Sequence, residues 1–552
     1  MFKTLRFARA ATVIAATLIS AVAVAREAPD TILIDAQVFT SDAKRLHVEA
    51  LAIRGERIVA TGTTAEISRL AGPKTQSIDL HGATVIPGIN DAHNHLDISP
   101  SDAVTVELKT ENPSWADTRA ALAAAVAKSP RGAWLTVVIG PTVFHDPAVT
   151  REALDGIAPA NPVMLVTFTG HAAILNSAFM TRFGVAETQQ DPMGAKYERG
   201  ADGKLTGVLR EYALLQLERS MADNVSDTEA AAQLKKQLEE AAAFGITSLQ
   251  DMSNIATPER AARLMAQIPT PIRVRVMQMA ATTPTGRILT DGKPVAKNPA
   301  PNITVSGIKW MLDGVPVENT FTPRLGPPPT GGAAGIETAF RQLPLTFPAS
   351  EMPLMLKEAL SAHQQLLLHV SGTLSATNML QVMEASGGAA RWAPQRVRFE
   401  HGDGLLPDLF PKVKDLGIVV VQNPSHLAGM KQLVGGTFTY AQPLKSLLDA
   451  GIPLGLGSDG PTNPYLNIML ASLHPNRPSE AITREQAVIA YTAGSAYAEF
   501  AEHDKGTLEP GKLADLAVLS QDIFKVPPPK LPETTAVLTM VGGKIVYRKA
   551  TT

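Results

Sequence analysis

Hydrophobic and polar positions change period along the chain. From Thr31 to Ala60 short apolar runs are cut by turns: Ile32 to Phe39, Ala50 to Ile53, a Gly55-Glu56-Arg57 turn, then Ile58 to Ala60. Ile78 to Thr84 adds another short run. The far end has the same character, with Ala514 to Leu519, Thr535 to Met540, a Gly542-Gly543 turn and Lys544 to Tyr547. Two half-sets of strands at opposite ends predict one small β-sandwich domain assembled from residues 26–86 and 501–552. Between them, over residues 87–500, strand-like apolar runs alternate with helical stretches. The strand-like runs are Trp134 to Ile139, Val163 to Thr167, Thr247 to Gln250, Ile272 to Gln278, Val305 to Leu312, Leu366 to His369, Val397 to His401, Ile418 to Gln422 and Leu454 to Ser458. Arg119 to Lys128, Thr228 to Ala243 and Glu480 to Ala490 read as helices. Repeated βα units over this length predict an α/β fold, a (β/α)8 TIM-like barrel, with its site at the C-terminal ends of the strands.

The first residues break this pattern. Lys3, Arg6 and Arg9 precede an almost uncharged run from Ala10 to Val24, and Ala23-Val24-Ala25 offers small residues where a signal peptidase reads. Residues 1–25 are therefore expected to be a signal peptide, with a mature chain starting near Arg26 and exported across the inner membrane, to the periplasm in a Gram-negative source. An uncleaved anchor is the alternative. No later apolar stretch is long enough to span a bilayer. The formal net charge of −2 over 552 residues gives no reason to expect nucleic acid or an anionic membrane as partner. A small-molecule substrate is expected, and a homo-oligomer is left open. Cysteine is absent, so any metal must be held by His, Asp, Glu or a modified Lys.

The polar residues at the ends of the predicted strands carry the chemistry. In Val85-Ile86-Pro87-Gly88-Ile89-Asn90-Asp91-Ala92-His93-Asn94-His95, alternation along an extended segment puts His93 and His95 on one side. Two neutral imidazoles there form half of a transition-metal site, with zinc the default, although two structural histidines read the same way. Lys309 lies inside the apolar run Ile303 to Leu312, just before Asp313-Gly314. Burying an ammonium is costly, so it is neutralised, modified, snorkelling or paired with Asp313. Leu366 to His369 and Val397 to His401 each end in histidine, and Leu454 to Asp459 ends in a carboxylate.

Each of these is weak alone, but their combined order resembles the amidohydrolase superfamily, and within it amidohydrolase family 3, the group that includes N-substituted formamide deformylases. The resemblance covers nearly the whole mature chain. It takes in Pro87-Gly88 to His95, Leu154-Asp155, Gly170-His171, Gly207-Val208-Leu209 with Glu211, Lys309 to Gly314, His369, Glu400-His401, Gln422 and Ser458-Asp459, and closes on Gly506 to Asp515. It departs at Gly372-Thr373-Leu374-Ser375, where the family usually reads Gly-Asp-Arg-Ala, and in the Pro- and Gly-rich stretch from Phe321 to Pro348, expected to be a long loop.

The resemblance implies that His93, His95 and Asp459 hold one divalent metal. Lys309, carboxylated by CO2, would bridge to a second metal held by His369 and His401. Hydroxide activated there would attack a carbonyl carbon and cleave an amide, formamide or N-acyl C–N bond. Asp459 would take the water's proton and pass it to the departing amine. His171 is a candidate to bind substrate or the developing oxyanion, or else a structural residue of its turn; Gln422 and His426 are candidates to line the pocket. Tyr440 is given no role. The competing readings are a deaminase or an ester or lactone hydrolase on the same barrel, and a non-catalytic periplasmic metal- or solute-binding protein.

Overall fold

The computed structural model describes residues 27–110, 112–288, 295–315, 340–341, 343–428 and 442–550. The expected signal peptide, most of the expected long loop and Tyr440 lie outside the described residues.

Eight parallel strands form the central sheet. In chain order β1 to β8 are Ile89–Asn94, Ile246–Ser253, Arg273–Met279, Ile303–Met311, Leu366–Val370, Arg398–His401, Val419–Gln422 and Leu454–Leu456. Each pairs with its neighbour in sequence order, as a βα barrel requires. Met252, Met277 and Leu367 fill one part of the interior, and Ala92, Val419, Val421 and Ala498 another. The seam between β8 and β1 is closed just past the strand end, where the Asp459 amide donates to the His93 carbonyl at 2.9 Å. Gly457 makes that approach feasible, because a Cβ there would lie 2.5 Å from the His93 backbone nitrogen.

Strands from the two ends of the chain share one sheet. Strand Gln76–Pro87 pairs in parallel with Thr31–Phe39 and antiparallel with Leu516–Leu519, so Val85 faces Val518 and Pro87 faces Leu516. Leu33, Leu51, Ile53 and Ile58 share one buried cluster with Leu516, Val518, Leu538 and Met540. These strands belong to one eight-stranded sheet. Pro87 leads through Gly88 directly into β1, so the terminal domain anchors the strand that carries His93.

One expectation is corrected. Trp134–Ile139 and Val163–Thr167 are not barrel strands. They belong to a separate six-stranded sheet, in the order Ala195–Arg199, Leu205–Glu211, Ala172–Leu175, Val163–Thr167, Trp134–Ile139, Ala103–Thr105, inserted between β1 and β2. The sheet has its own core of Leu135, Val137, Ile139, Val163, Leu165, Ile174 and Val208. An apolar run reports burial but not which sheet buries it, which is why barrel and insertion read alike.

Candidate metal centre

Alternation alone does not place the first histidine. On β1, Asp91 pairs with Leu249 of β2 and Asn94 with Asp251, so three steps on one strand match two on the other. Such a bulge re-aims the side chains beside it, and here it turns His93 toward the barrel mouth beside His95. Their rings lie 5.4 Å apart. Asp459, which follows β8 with φ at +37°, faces both: its carboxylate oxygens are 3.7 Å from His93 Nε2 and 3.4 Å from His95 Nε2. His401 joins them, its ring 5.0 Å from that of His93 and its Nδ1 3.7 Å from Asp459 Oδ2. It is the residue after Glu400 and would point the opposite way in a regular strand. A left-handed φ of +72° brings it round to the same face.

His93, His401 and Asp459 bring ligand atoms within 4.8 Å of one another, a spacing suited to one cation. Tautomers support this use. His93 Nδ1 lies 2.7 Å from Glu400 Oε2, and His95 Nδ1 lies 3.0 Å from the Met252 carbonyl. The His93 ring therefore donates from Nδ1 and turns a lone pair on Nε2 toward Asp459, whereas burial of His95 is outweighed by its hydrogen bond to Asp459, which raises its pKa. Burial holds His93 down to about 4, against the pull of Asp459, and holds His369 and His401 well below the usual range. All three are neutral at pH 7, as metal ligands must be. Burial also opposes ionisation of Asp459, but the surrounding histidines outweigh it and keep its carboxyl well below its usual range. The donor set fits a divalent cation.

The remaining expected residues surround this group. The His369 ring packs 4.3 Å from that of His401 and 5.0 Å from that of His171. Lys309 is 2% exposed, and among the described residues no hydrogen-bond partner is found for its Nζ. Burial lowers its pKa to about 8, despite the attraction of Glu400 and Asp459. Asp313 is not its ion-pair partner; that carboxylate accepts the Ser371 and Gly372 amides at 3.0 and 2.7 Å and the Ser375 hydroxyl. The neutral Gly372-to-Ser375 segment thus fixes Asp313 beneath His369, 3.7 Å from its Nε2. The inserted sheet delivers His171 to the mouth, where Nδ1 meets Glu211 Oε2 at 2.8 Å. His426 lines the site, 3.5 Å from Asp459 Oδ2. Gln422 does not: it shares the outward face of Val420, toward the helices.

A model of the amidohydrolase family matches residues 76–547. The chain belongs to that family. It is 26% identical to N-substituted formamide deformylase of Arthrobacter pascens, over 94% of this chain and 98% of that protein. It is 27% identical to the protein LONG AFTER FAR-RED 3 of Arabidopsis thaliana, over 94% of this chain and 91% of that one. Among solved structures, a metal-dependent hydrolase of Pyrococcus horikoshii is similar over 90% of this chain and 99% of its own, with a TM-score of 0.64 at 19% identity, a likeness of fold.

Sequence reasoning missed the residues that hold the histidines. Arg398 and Glu400 alternate on β6 and both face the barrel interior, where Arg398 Nε meets Glu400 Oε1 at 2.7 Å. Burial would raise Glu400, but Arg398, His93 and Lys309 lower it to about 2. Asn423 Oδ1 accepts a hydrogen bond from His401 Nδ1 at 3.0 Å. The signal was present in Arg398-x-Glu400, an ion pair at strand spacing inside an apolar run.

Proposed function

We propose that this amidohydrolase-family protein is a metal-dependent hydrolase of a non-peptide C–N bond, in an amide, formamide or N-acyl compound. The observation that carries the reading is Asp459, ionised among His93, His95 and His401 at the barrel mouth, with both Nδ1 atoms of the His-x-His pair already tied to acceptors. A divalent cation, zinc by default, would supply the Lewis acidity that activates water and polarises a carbonyl. Asp459 receives the proton of the attacking water and returns it to the departing nitrogen. His171, oriented by Glu211, donates from the inserted sheet toward the substrate's oxygen. A second cation would be held by His369 and His401, with Lys309 as the bridge. Carboxylation of Lys309 needs a free amine, and a pKa near 8 keeps a useful fraction of it uncharged at neutral pH. The basic and then apolar N-terminal residues favour export to the periplasm, which cell fractionation tests.

The likeness to N-substituted formamide deformylase, about a quarter identical, makes formamides the first substrates to try. The test is metal analysis of the purified protein with a panel of N-substituted formamides and N-acyl amino acids, beside lactones, esters and aminopurines. Turnover confined to the aminopurines would make it a deaminase; bound metal with no turnover would favour a binding protein. Lys309→Ala should lose activity and recover part of it with a short added carboxylic acid. Lys309→Arg should not recover, because it puts a positive charge where an anion belongs. Unchanged activity in Lys309→Ala would exclude the bridge.

A further inference from the structure

A cavity of about 760 Å3 lies at the other end of the barrel from the histidines, among the starts of β3, β4 and β5 and the segment around Glu499 to Lys505. Its wall carries the cations Arg273, Arg275, Lys297 and Lys505 and the carboxylates Glu499 and Asp504. Four of these charges are satisfied locally or from outside: Arg273 by Asp515 at 2.8 Å, Asp504 by Arg57 at 2.9 Å, and Lys505 and Glu499 by each other at 2.8 Å. Among the described residues Arg275 and Lys297 have no carboxylate within ion-pair distance. The cavity therefore holds a surplus of two positive charges, one on its floor and one on its exposed rim.

The floor cation is the unusual one. Arg275 is 5% exposed, yet its guanidinium reaches only neutral acceptors: Ser306 Oγ and Gln365 Oε1, each at 2.9 Å, and Gln250 Oε1 at 3.4 Å. A guanidinium has further N–H groups to offer. Burial lowers its pKa to about 10 against the attraction of Glu499, which is bonded to Lys505 and not to Arg275, so it stays charged at neutral pH. A buried cation without a bonded counter-ion is costly, and the end of a barrel away from its active site ordinarily serves stability. A charge left in that state at the bottom of a cavity of ligand size calls for an anion.

We propose that this cavity binds a small organic dianion, a phosphate monoester or a dicarboxylate, with its charge on Arg275 and Lys297 and the Asn298 and Gln364 amides within the same wall. The site lies apart from the histidines, although Arg275 shares the Gln250 Oε1 acceptor with Arg398. Isothermal titration of the full chain with glycerol 3-phosphate and with glutarate separates the two ligand chemistries. The protein is metal-stripped and dialysed first, so that neither anion can bind at the histidines. Saturable binding of one of them is expected, weakened at least tenfold by Lys297→Glu, whose exposed position tolerates charge reversal, and weakened also by Arg275→Gln in protein shown to be folded by circular dichroism. A crystal soaked in selenate should show an anomalous peak between Arg275 and Lys297. If neither ligand binds the metal-stripped chain, or if binding is indifferent to Lys297→Glu, the proposal is overturned.

Discussion

At the scale of single residues, metal binding and proton transfer are separable at Asp459. Asparagine keeps the volume and one oxygen for a cation but cannot accept a proton. Asp459→Asn is therefore expected to retain most of its metal through His93 and His95 while turnover falls about 100-fold or more. His93→Ala should lose metal and turnover together. Paired metal content and rate measurements decide it, and near-normal turnover in Asp459→Asn would move the proton transfer to His171. His93, His95, Lys309, His369, His401 and Asp459 were legible in the sequence because each ends or interrupts an apolar run. Glu400 and Glu211 stood in the same motifs, but their work is done on residues 307 and 40 positions away in the chain, His93 and His171. Spacing carries no sign of such partners.

At the scale of elements, the seam between β8 and β1 depends on a missing side chain. Gly457→Ala would press a methyl group against the His93 backbone, at 2.5 Å from its nitrogen and Cβ. Overpacking of this kind costs about 1–3 kcal/mol. Here the strand that gives way carries His93, proposed to hold the cation, so a lower unfolding midpoint should come with weakened metal retention. An unchanged midpoint would mean that β8 moves freely against β1. Strand existence was largely visible in the sequence, but the sheet each strand joins was not. The bulge in β1 and the left-handed backbone at His401 and Asp459 were likewise hidden, since His and Asp take a positive φ more readily than most residues but still only at a minority of positions.

At the scale of the whole molecule, the terminal domain and the site form one unit. Leu516–Leu519 pairs with the strand that runs through Gly88 into β1. A chain ending at residue 513 would expose Val85 and Ile86, leave one edge of their strand unpaired, and should be insoluble or metal-free when expressed; a soluble, metal-loaded product would show that the barrel stands alone. Acid should act through Glu400. Its folded pKa of about 2 lies below the ordinary carboxylate value of about 4.3. Between those values the unfolded chain binds more protons than the folded one, so the contribution is complete above the upper value and fades as pH falls toward the lower. In chelator-treated protein the denaturant midpoint should drop across that window, and Glu400→Gln should flatten the slope. It should also lower the midpoint at neutral pH, by leaving Arg398 buried with a neutral partner. A slope indifferent to Glu400→Gln would place the acid response elsewhere.

The sequence by itself determined the kind of fold and named the residues proposed to hold metal. Those follow from local periodicity and from ligand chemistry, which neighbouring residues carry whatever they pack against. Only the tertiary structure decided that two of the apparent barrel strands build a separate sheet, that this sheet brings His171 to His369, and that Arg398 and Glu400 hold His93. It alone left Arg275 charged at the floor of a second cavity. Each of these is a meeting of residues far apart in the chain, and a partner that distant leaves no mark on local pattern.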